Sequence, residues 1–581
     1  MTLPRPSPPL PDALWQQLQP LLRQLDAAQA LWLSGYLHGS ATATVPEAGP
    51  ATPGAAPAIL VGYGTETGNC AALADQLCQR LQEQGWAAEA VDLGTLRPRQ
   101  LARRERLLVI CATHGDGDPP EPIHDFYHAL MADAAPRVEG LEFSVLSLGD
   151  SSYEQYCVTG QQLDARLEEL GGRRLAARRD CDVDFADPAR QWMDEVLARL
   201  PQPVAQTVAP AAVTAVAPTA REYSRQQPLA VEVLDNIRLT AAGRREAIHH
   251  LELALEVADF PVRPGDAVGV LADNSPQRVA AVLDAVGLSG ETAVTVAGQA
   301  MPLVQALRSH CDLTLPGKRL LEFWAELSGG AELAAVLAGE ARAQRDFLRS
   351  HQVIDLVVGW PARPEAQLLV ANLRPLQPRL YDLANSLQRV EDELHLTVKH
   401  CRYDFRHRQE VGVASDYLLQ LQPGDRVQIY PHRNARFRLP EAADAPLILI
   451  GEGAGAAPYR AFLQEITARG LGHRCWLVFA EQRFEEDFLY QLDWLQARAE
   501  GVLERADAVW LADQPGHSLG QAIADQGARW QQWLERGAHL YFCGDKDRMA
   551  DCERRLQQLA GERALDWKQL QADRRIHRNV Y

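Results

Sequence analysis

Between residues 201 and 221 the chain reads PQPVAQTVAPAAVTAVAPTAR, with a single charge at Arg221. A stretch this rich in Pro, Ala, Val and Thr stays extended and cannot bury a core, so the chain must fold as separate bodies on either side of it. A second such stretch, Ala41 to Pro57, sets off a short N-terminal segment, 1–57. Between the two, residues 58–200 alternate strands with amphipathic helices: AILVGYG, RLLVICAT and FSVLSLGD read as strands, AALADQLCQRLQEQG as a helix. That rhythm predicts a parallel sheet covered on both faces by helices.

After the linker, assigned to 201–227, the pattern changes. Runs such as HHLELALEV, ELHLTVKHCRYDF and DRVQIYP predict an antiparallel barrel within 228–440. Helical periodicity over about 276–375 (QRVAAVLDAVGL, LLEFWAEL) marks a lobe inserted into it. From 441 to 581 strands and helices alternate again, in PLILIGEG, CWLVFAE and HLYFCGD. The expected fold is multidomain α/β plus β-barrel. No apolar run reaches the roughly 18–20 residues of a membrane span, and the N-terminus has no secretory h-region, which points to the cytoplasm. With 58 Lys plus Arg against 76 Asp plus Glu, the chain lacks the basic excess that nucleic acid or an anionic membrane requires. The 10 cysteines form no C-x-x-C pair. No zinc or iron–sulfur ligand set is visible, and any redox chemistry must come from an organic cofactor.

Three loops of the first α/β block fall where strands end, the ligand side of a doubly wound sheet. Thr65-Glu66-Thr67-Gly68-Asn69 opens a helix and suits a phosphate, but lacks the Lys of a nucleoside-triphosphate loop. Thr113-His114-Gly115-Asp116-Gly117 is a glycine-rich turn that lets backbone approach a planar ligand. Leu148-Gly149-Asp150-Ser151-Ser152-Tyr153 offers an aromatic face. Each alone reads as a plain turn; together, in this order, they favour a flavin site.

On these motifs the block resembles the flavodoxin-like modules of diflavin reductases, most of all the flavoprotein subunits of NADPH-dependent sulfite reductases. The resemblance implies a flavodoxin-like FMN domain, an FAD-binding antiparallel barrel with a helical insertion and a ferredoxin-reductase-like nucleotide-binding domain. It implies that Thr65 to Asn69 hold the FMN phosphate. Thr113, His114, Gly115, Gly117, Leu148, Gly149, Asp150 and Tyr153 would flank the ring, with Asp182 near the ribityl or ring edge. Arg379-Leu380-Tyr381-Asp382, continuing to Ser386, resembles the R-x-Y-S-x-x-S element of FAD domains, with a guanidinium for phosphate and a ring for the isoalloxazine. Gly412, Val413, Ala414 and Ser415 resemble the helix start that binds the FAD pyrophosphate; Pro264-Gly265-Asp266 and Arg436 to Pro440 match two further segments of that domain. The terminal Tyr581 would shield the flavin. The N-terminal LDAAQALWLSGYLHG resembles the segment through which the family assembles into a homo-oligomer.

The departures cluster on the step that brings hydride from nicotinamide to FAD. The family's Ser beside flavin N5 is Asp382, its catalytic Cys is kept as Cys543, and its Asp before the terminal aromatic is Asn579. A buried Asp382 that keeps its proton is a hydroxyl-like donor; an ionised one places charge where electron density must arrive. In the nucleotide loop Gly451-Glu452-Gly453-Ala454-Gly455, the family's Thr is Ala454, and Glu452 would set a like charge near a pyrophosphate. Leu511 and Ala512 stand where relatives carry the Ser-Arg pair for the 2′-phosphate, and His517 and Leu519 where they carry Lys and Tyr. Each missing charge-assisted bond is worth about 1.5–3 kcal/mol, so preference for NADP over NAD should be lost.

Two readings follow. In one, the chain passes electrons from NADPH through FAD and FMN to a haem or iron–sulfur partner, with Asp116, Asp118, Glu121, Asp125 and Glu154 steering a basic face. In the other, a diverged paralogue keeps its flavins, has lost NADPH oxidation, and uses another donor or serves as an assembly and electron-shuttle partner.

Overall fold

A computed structural model of the chain describes residues 59–114, 117–151, 153–201, 223–244, 246–257, 260–513 and 516–581. The N-terminal segment, Gly115, Asp116, Ser152 and most of the Pro/Ala-rich linker lie outside them.

The first sheet is parallel. β1 (Ile59–Gly64), β2 (Ala88–Asp92), β3 (Arg106–Ala112) and β4 (Glu142–Leu148) stand in the order β2-β1-β3-β4, and the short β5 (Arg173–Arg174) and β6 (Arg179–Cys181) both lie beside β4. Helices cover both faces, so β3 is buried continuously from Leu107 to Cys111, as a strand with no solvent face must be. Helix α1 (Asn69–Glu83) buries Cys70, Leu73, Ala74, Leu77 and Leu81, a stripe at intervals of one to four residues that lines one helix face. Helix α2 (His124–Met131) packs Phe126, Tyr127 and Leu130 against the other side. The strand order reverses between β1 and β3, which opens a crevice at their carboxyl ends.

The second body is an antiparallel barrel of β7 (Leu229–Arg238), β8 (Ile248–Ala254), β9 (Ala267–Leu271), β10 (Arg379–Asp382), β11 (Glu393–Lys399) and β12 (Arg426–His432), in the order β10-β9-β12-β7-β8-β11. A single bridge, Leu383 to Leu396, joins the two ends of that path. β7 serves two neighbours, pairing with β12 up to Glu232 and with β8 from Val233 onward, across a bulge at Val233/Asp235. Between β9 and β10 lies the inserted lobe. Its helices share a core around Val282, Leu303, Leu320, Trp324, Leu356 and Leu369. It also holds a hairpin, Ala293–Val296 with Gln299–Pro302, where helical periodicity predicted no strand. Ala297 and Gly298 turn it with φ of 48° and 81°, the two positive values a tight hairpin turn requires.

The third body is again parallel: β13 (Leu447–Glu452), β14 (Cys475–Glu481), β15 (Leu503–Trp510), β16 (His539–Gly544) and β17 (Ile576–Val580), in the order β15-β14-β13-β16-β17. Its reversal lies between β13 and β16, so the loops after those strands face one crevice. Among the described residues, no helix is long and apolar enough to cross a membrane.

Candidate functional site

The first crevice is lined by the three loops the sequence singles out. Thr65 Oγ1 accepts the Gly68 and Cys70 amides at 3.0 and 3.4 Å, which curls the chain into α1. Gly68 takes φ +85° with open space where a Cβ would stand. The loop therefore ends in N–H groups at a helix N-terminus beside free volume, the cradle a phosphate needs. Burial pushes the Glu66 carboxyl up to about 7, although the Glu121 amide, donating at 3.2 Å, pulls it back in part. A carboxyl that can keep its proton does not repel a neighbouring phosphate. In the second loop the His114 amide donates to Asp118 O at 2.8 Å and Gly117 turns at φ +122°. Burial, helped by Lys546, lowers the His114 pKa and leaves a neutral ring. In the third, a Cβ on Gly149 would stand 2.9 Å from the Cys157 amide, so only glycine fits. Tyr153 is 41% exposed, with the Arg349 guanidinium 5.1 Å from its ring centre. These residues fit a planar group with a phosphate tail.

Two of the flanking residues have other work. Asp182 accepts from the Ser151 and Val183 amides at 3.0 and 2.8 Å and from the Ser151 hydroxyl, so its carboxylate shapes the third loop rather than meeting a ribityl chain. Asp150 is paired with Arg374, which comes from the end of the inserted lobe.

On the barrel, Arg379 and Tyr381 share one face of β10, and Asp382 lies on the other. Gly412 precedes helix α3 (Val413–Gln420), and a Cβ there would meet Cys401 Cβ at 2.9 Å. Ser415 Oγ donates to Gly412 O and accepts the Cys401 amide, both at 3.1 Å, closing the loop and leaving the Val413 and Ala414 amides at the helix start for an anion. Ser386 does not join them: it is fully buried, its hydroxyl held by Glu465 and its amide by Gln464 at 3.0 Å. Pro264-Gly265-Asp266 and Arg436 to Pro440 meet each other. Arg438 binds Asp266, and Gly265, at φ +93°, packs against Phe437 O.

Asp382, Cys543 and Asn579 converge where barrel and third sheet meet. Cys543 and Asn579 are register partners on β16 and β17, and Asp382 arrives from β10. Asn579 Nδ2 donates to Asp382 Oδ2 at 2.8 Å, and the Cys543 thiol approaches the same oxygen at 3.8 Å. Burial pushes the Asp382 carboxyl up to about 6, with the two donors pulling against it. Burial and then the neighbouring Asp382 raise the Cys543 thiol well above its ordinary value, so it stays protonated. The group can hold and release one proton near neutral pH. Tyr581 is pinned beside it, its amide donating to Gly544 O at 3.1 Å.

The glycine turn after β13 leads into helix α4 (Ala456–Arg469) and presses against β16: a Cβ on Gly455 would stand 2.3 Å from Cys543 O, and one on Gly451 2.9 Å from it. Gly453 turns at φ +53° and Ala454 follows in a short helical turn. The like charge foreseen at Glu452 is offset, since Arg548 pairs with its carboxylate at 3.0 Å. Beyond β15, the Leu511 and Ala512 amides donate to Glu481 O and Gln482 O at 2.8 and 2.9 Å. Ala512 and His517 are exposed and Leu511 is half-buried. Leu519 is instead buried in the core under a Ser518-capped helix, so it faces no ligand.

A further set of residues carries no local sequence signal. Lys546 pairs with Asp118, Arg374 with Asp150, and Arg319 with Asp184 at 3.5 Å. Arg436 donates to Glu121 O, and Arg225 to Asn69 Oδ1 at 3.1 Å. In each, the acceptor belongs to the first sheet's body; four of the cations come from the chain after the linker, and Arg225 from the linker's own end.

The chain matches the family models for a flavodoxin over residues 61–192, an FAD binding domain over 221–417 and an oxidoreductase NAD-binding domain over 449–555. It is 37% identical over 549 residues to the sulfite reductase (NADPH) flavoprotein alpha-component of Bacillus subtilis (strain 168), covering 92% of this chain and 91% of that protein. The protein of that name from Shewanella sp. (strain MR-7) is 38% identical over 555 residues, covering 93% and 92%. The one from Neisseria meningitidis serogroup C (strain 053442) is 36% identical over 600 residues, covering 99% and 98%. With its flavodoxin, FAD-binding and NAD-binding modules in this order, the chain belongs to the diflavin reductases, in the family of sulfite reductase flavoprotein alpha-components.

Proposed function

We propose that the chain is an oxidoreductase that draws electrons from NADPH and passes them through FAD and FMN to a haem or iron–sulfur partner. The observation that carries this is the meeting of Asp382, Cys543 and Asn579 beside the FAD segment and the nucleotide turn. When bound, FAD would supply two-electron hydride acceptance and FMN one-electron transfer.

The chain's own residues do the rest. Asp382 holds a proton at the reacting edge below about pH 6, Asn579 orients that carboxyl, and the neutral Cys543 thiol fills the remaining space without adding charge. Tyr581 would shield the flavin. Arg379, Tyr381 and the Val413 and Ala414 amides hold FAD; Thr65 to Asn69, His114 and Tyr153 hold FMN. The domain limits drawn at 58–200, 228–440 and 441–581 accord with these roles, and residues 1–57 would build the homo-oligomer. The reading in which nucleotide oxidation is lost finds no support, because the proton-holding group is assembled and Glu452 is neutralised by Arg548.

Anaerobic stopped-flow absorbance on flavin-loaded protein tests the proposal. Mixing with NADPH should bleach the flavin bands within seconds. Flavin that ignores NADPH and NADH but bleaches with dithionite would refute it.

A further inference from the structure

Helix α2 presents His124 and His128 one turn apart on an exposed face of the first body, with Nε2 to Nε2 at 3.0 Å. Residues four apart on a helix lie one above the other, so the spacing alone brings the rings together. Two nitrogens this close cannot both carry protons toward each other, so at least one lone pair lies in the gap. Ligand nitrogens about 2.0–2.1 Å from one ion stand about 2.8–3.4 Å apart in square or tetrahedral sites, and the pair already has that separation. The carboxylates of Asp118 and Asp125 lie close enough to act on both rings. Arg578 and Arg436 act on His124 in the opposite sense.

We infer that His124 and His128 form a bidentate clamp for a divalent transition-metal ion such as Zn²⁺ or Cu²⁺, with water filling its remaining positions. The ion takes the gap between the two Nε2 atoms, and any proton there moves through solvent to that ring's Nδ1, so two neutral imidazoles bind it with no net proton released. A second imidazole pair shows what the first has that others lack. His250 and His395 lie with Glu252 in one buried cluster, but each of their nitrogens is engaged. Tyr490 OH meets His250 Nδ1 at 2.9 Å and Glu252 faces its Nε2 at 3.5 Å. Glu393 meets His395 Nε2 at 2.7 Å and the Arg460 guanidinium stands 3.2 Å from its Nδ1. A cation there would have to break contacts at all four ring nitrogens, whereas the pair on α2 opens to solvent.

Titration of the flavin-loaded full chain with Zn²⁺ by calorimetry, and continuous-wave EPR with one equivalent of Cu²⁺, test the inference. The expected result is a site whose Cu²⁺ spectrum shows coupling to two imidazole nitrogens. His124→Asn or His128→Asn alone should weaken it about tenfold or more, since each removes one arm of a chelate. The double variant should lose the site while its flavin content stays unchanged. Unaltered Zn²⁺ affinity and nitrogen coupling in the double variant would overturn it.

Discussion

Replacing Asp382 by Asn should remove a proton-dependent slope from flavin reduction. The carboxyl titrates near 6 instead of near 3.8, because it is buried and its donors, Asn579 and Cys543, recover only part of the cost. Below about pH 6 it is neutral and donates. Above that, the protonated fraction falls tenfold per pH unit, to about one hundredth at pH 8. Hydride acceptance that relies on this proton falls in proportion. An amide cannot titrate, yet it keeps an acceptor for Asn579 Nδ2, so the Asp382→Asn profile should be flat.

The same proton has a stability signature. Between about pH 4 and 6 the native state keeps a proton that the unfolded chain has lost, so stability declines through that window and is level above it. The displacement of about two pH units corresponds to about 3 kcal/mol, which the substitution removes. The assay is anaerobic single-turnover reduction from pH 5.5 to 8.5 at saturating nucleotide, on both proteins. Glu66 and Glu481, each pushed by burial to about 7, remain in the variant, so the difference between profiles isolates Asp382. A wild-type rate that is constant from pH 6 to 8, or a slope retained in Asp382→Asn, would refute the reasoning.

The exposed turn after β15 carries a second prediction. Ala512→Arg with His517→Lys adds two cations to that turn, and at about 1.5–3 kcal/mol per charge-assisted bond should raise the NADPH-to-NADH selectivity at least tenfold in reduction kinetics. An unchanged ratio would mean that the 2′-phosphate lies elsewhere. Gly265→Ala should lower the thermal midpoint by several degrees, because its Cβ would stand 1.7 Å from Phe437 O at a φ of +93°; an unshifted midpoint would contradict that close approach.

Much of this site is legible in the sequence because strand ends are. Thr65, His114 and Tyr153 follow apolar runs whose length fixes where each strand stops, and Cys543 and Asn579 fall opposite each other once β16 and β17 pair. Motif position does not tell side-chain direction, however. Ser386 and Leu519 stand at family positions yet turn into the core, and Asp182 turns back on its own loop. The hairpin at 293–302 was announced by little more than Ala297-Gly298 between two short β-prone runs. The cations that cross to the first body leave no local trace, since Arg374, Arg436 and Lys546 meet acceptors more than 200 residues away in the chain.

Those crossings set a kinetic ceiling. Asp118, Asp150 and Asp184 are occupied by Lys546, Arg374 and Arg319, so an acceptor that uses the same carboxylates competes with the chain's own cations. The exposed pairs, Lys546–Asp118 and Arg319–Asp184, contribute up to about 1 kcal/mol each, and with the less exposed Arg374–Asp150 they hold the released form to roughly 0.1–10% of molecules. Raising acceptor concentration then saturates delivery at the rate of release, and moderate salt should speed turnover until it begins to weaken capture of the acceptor.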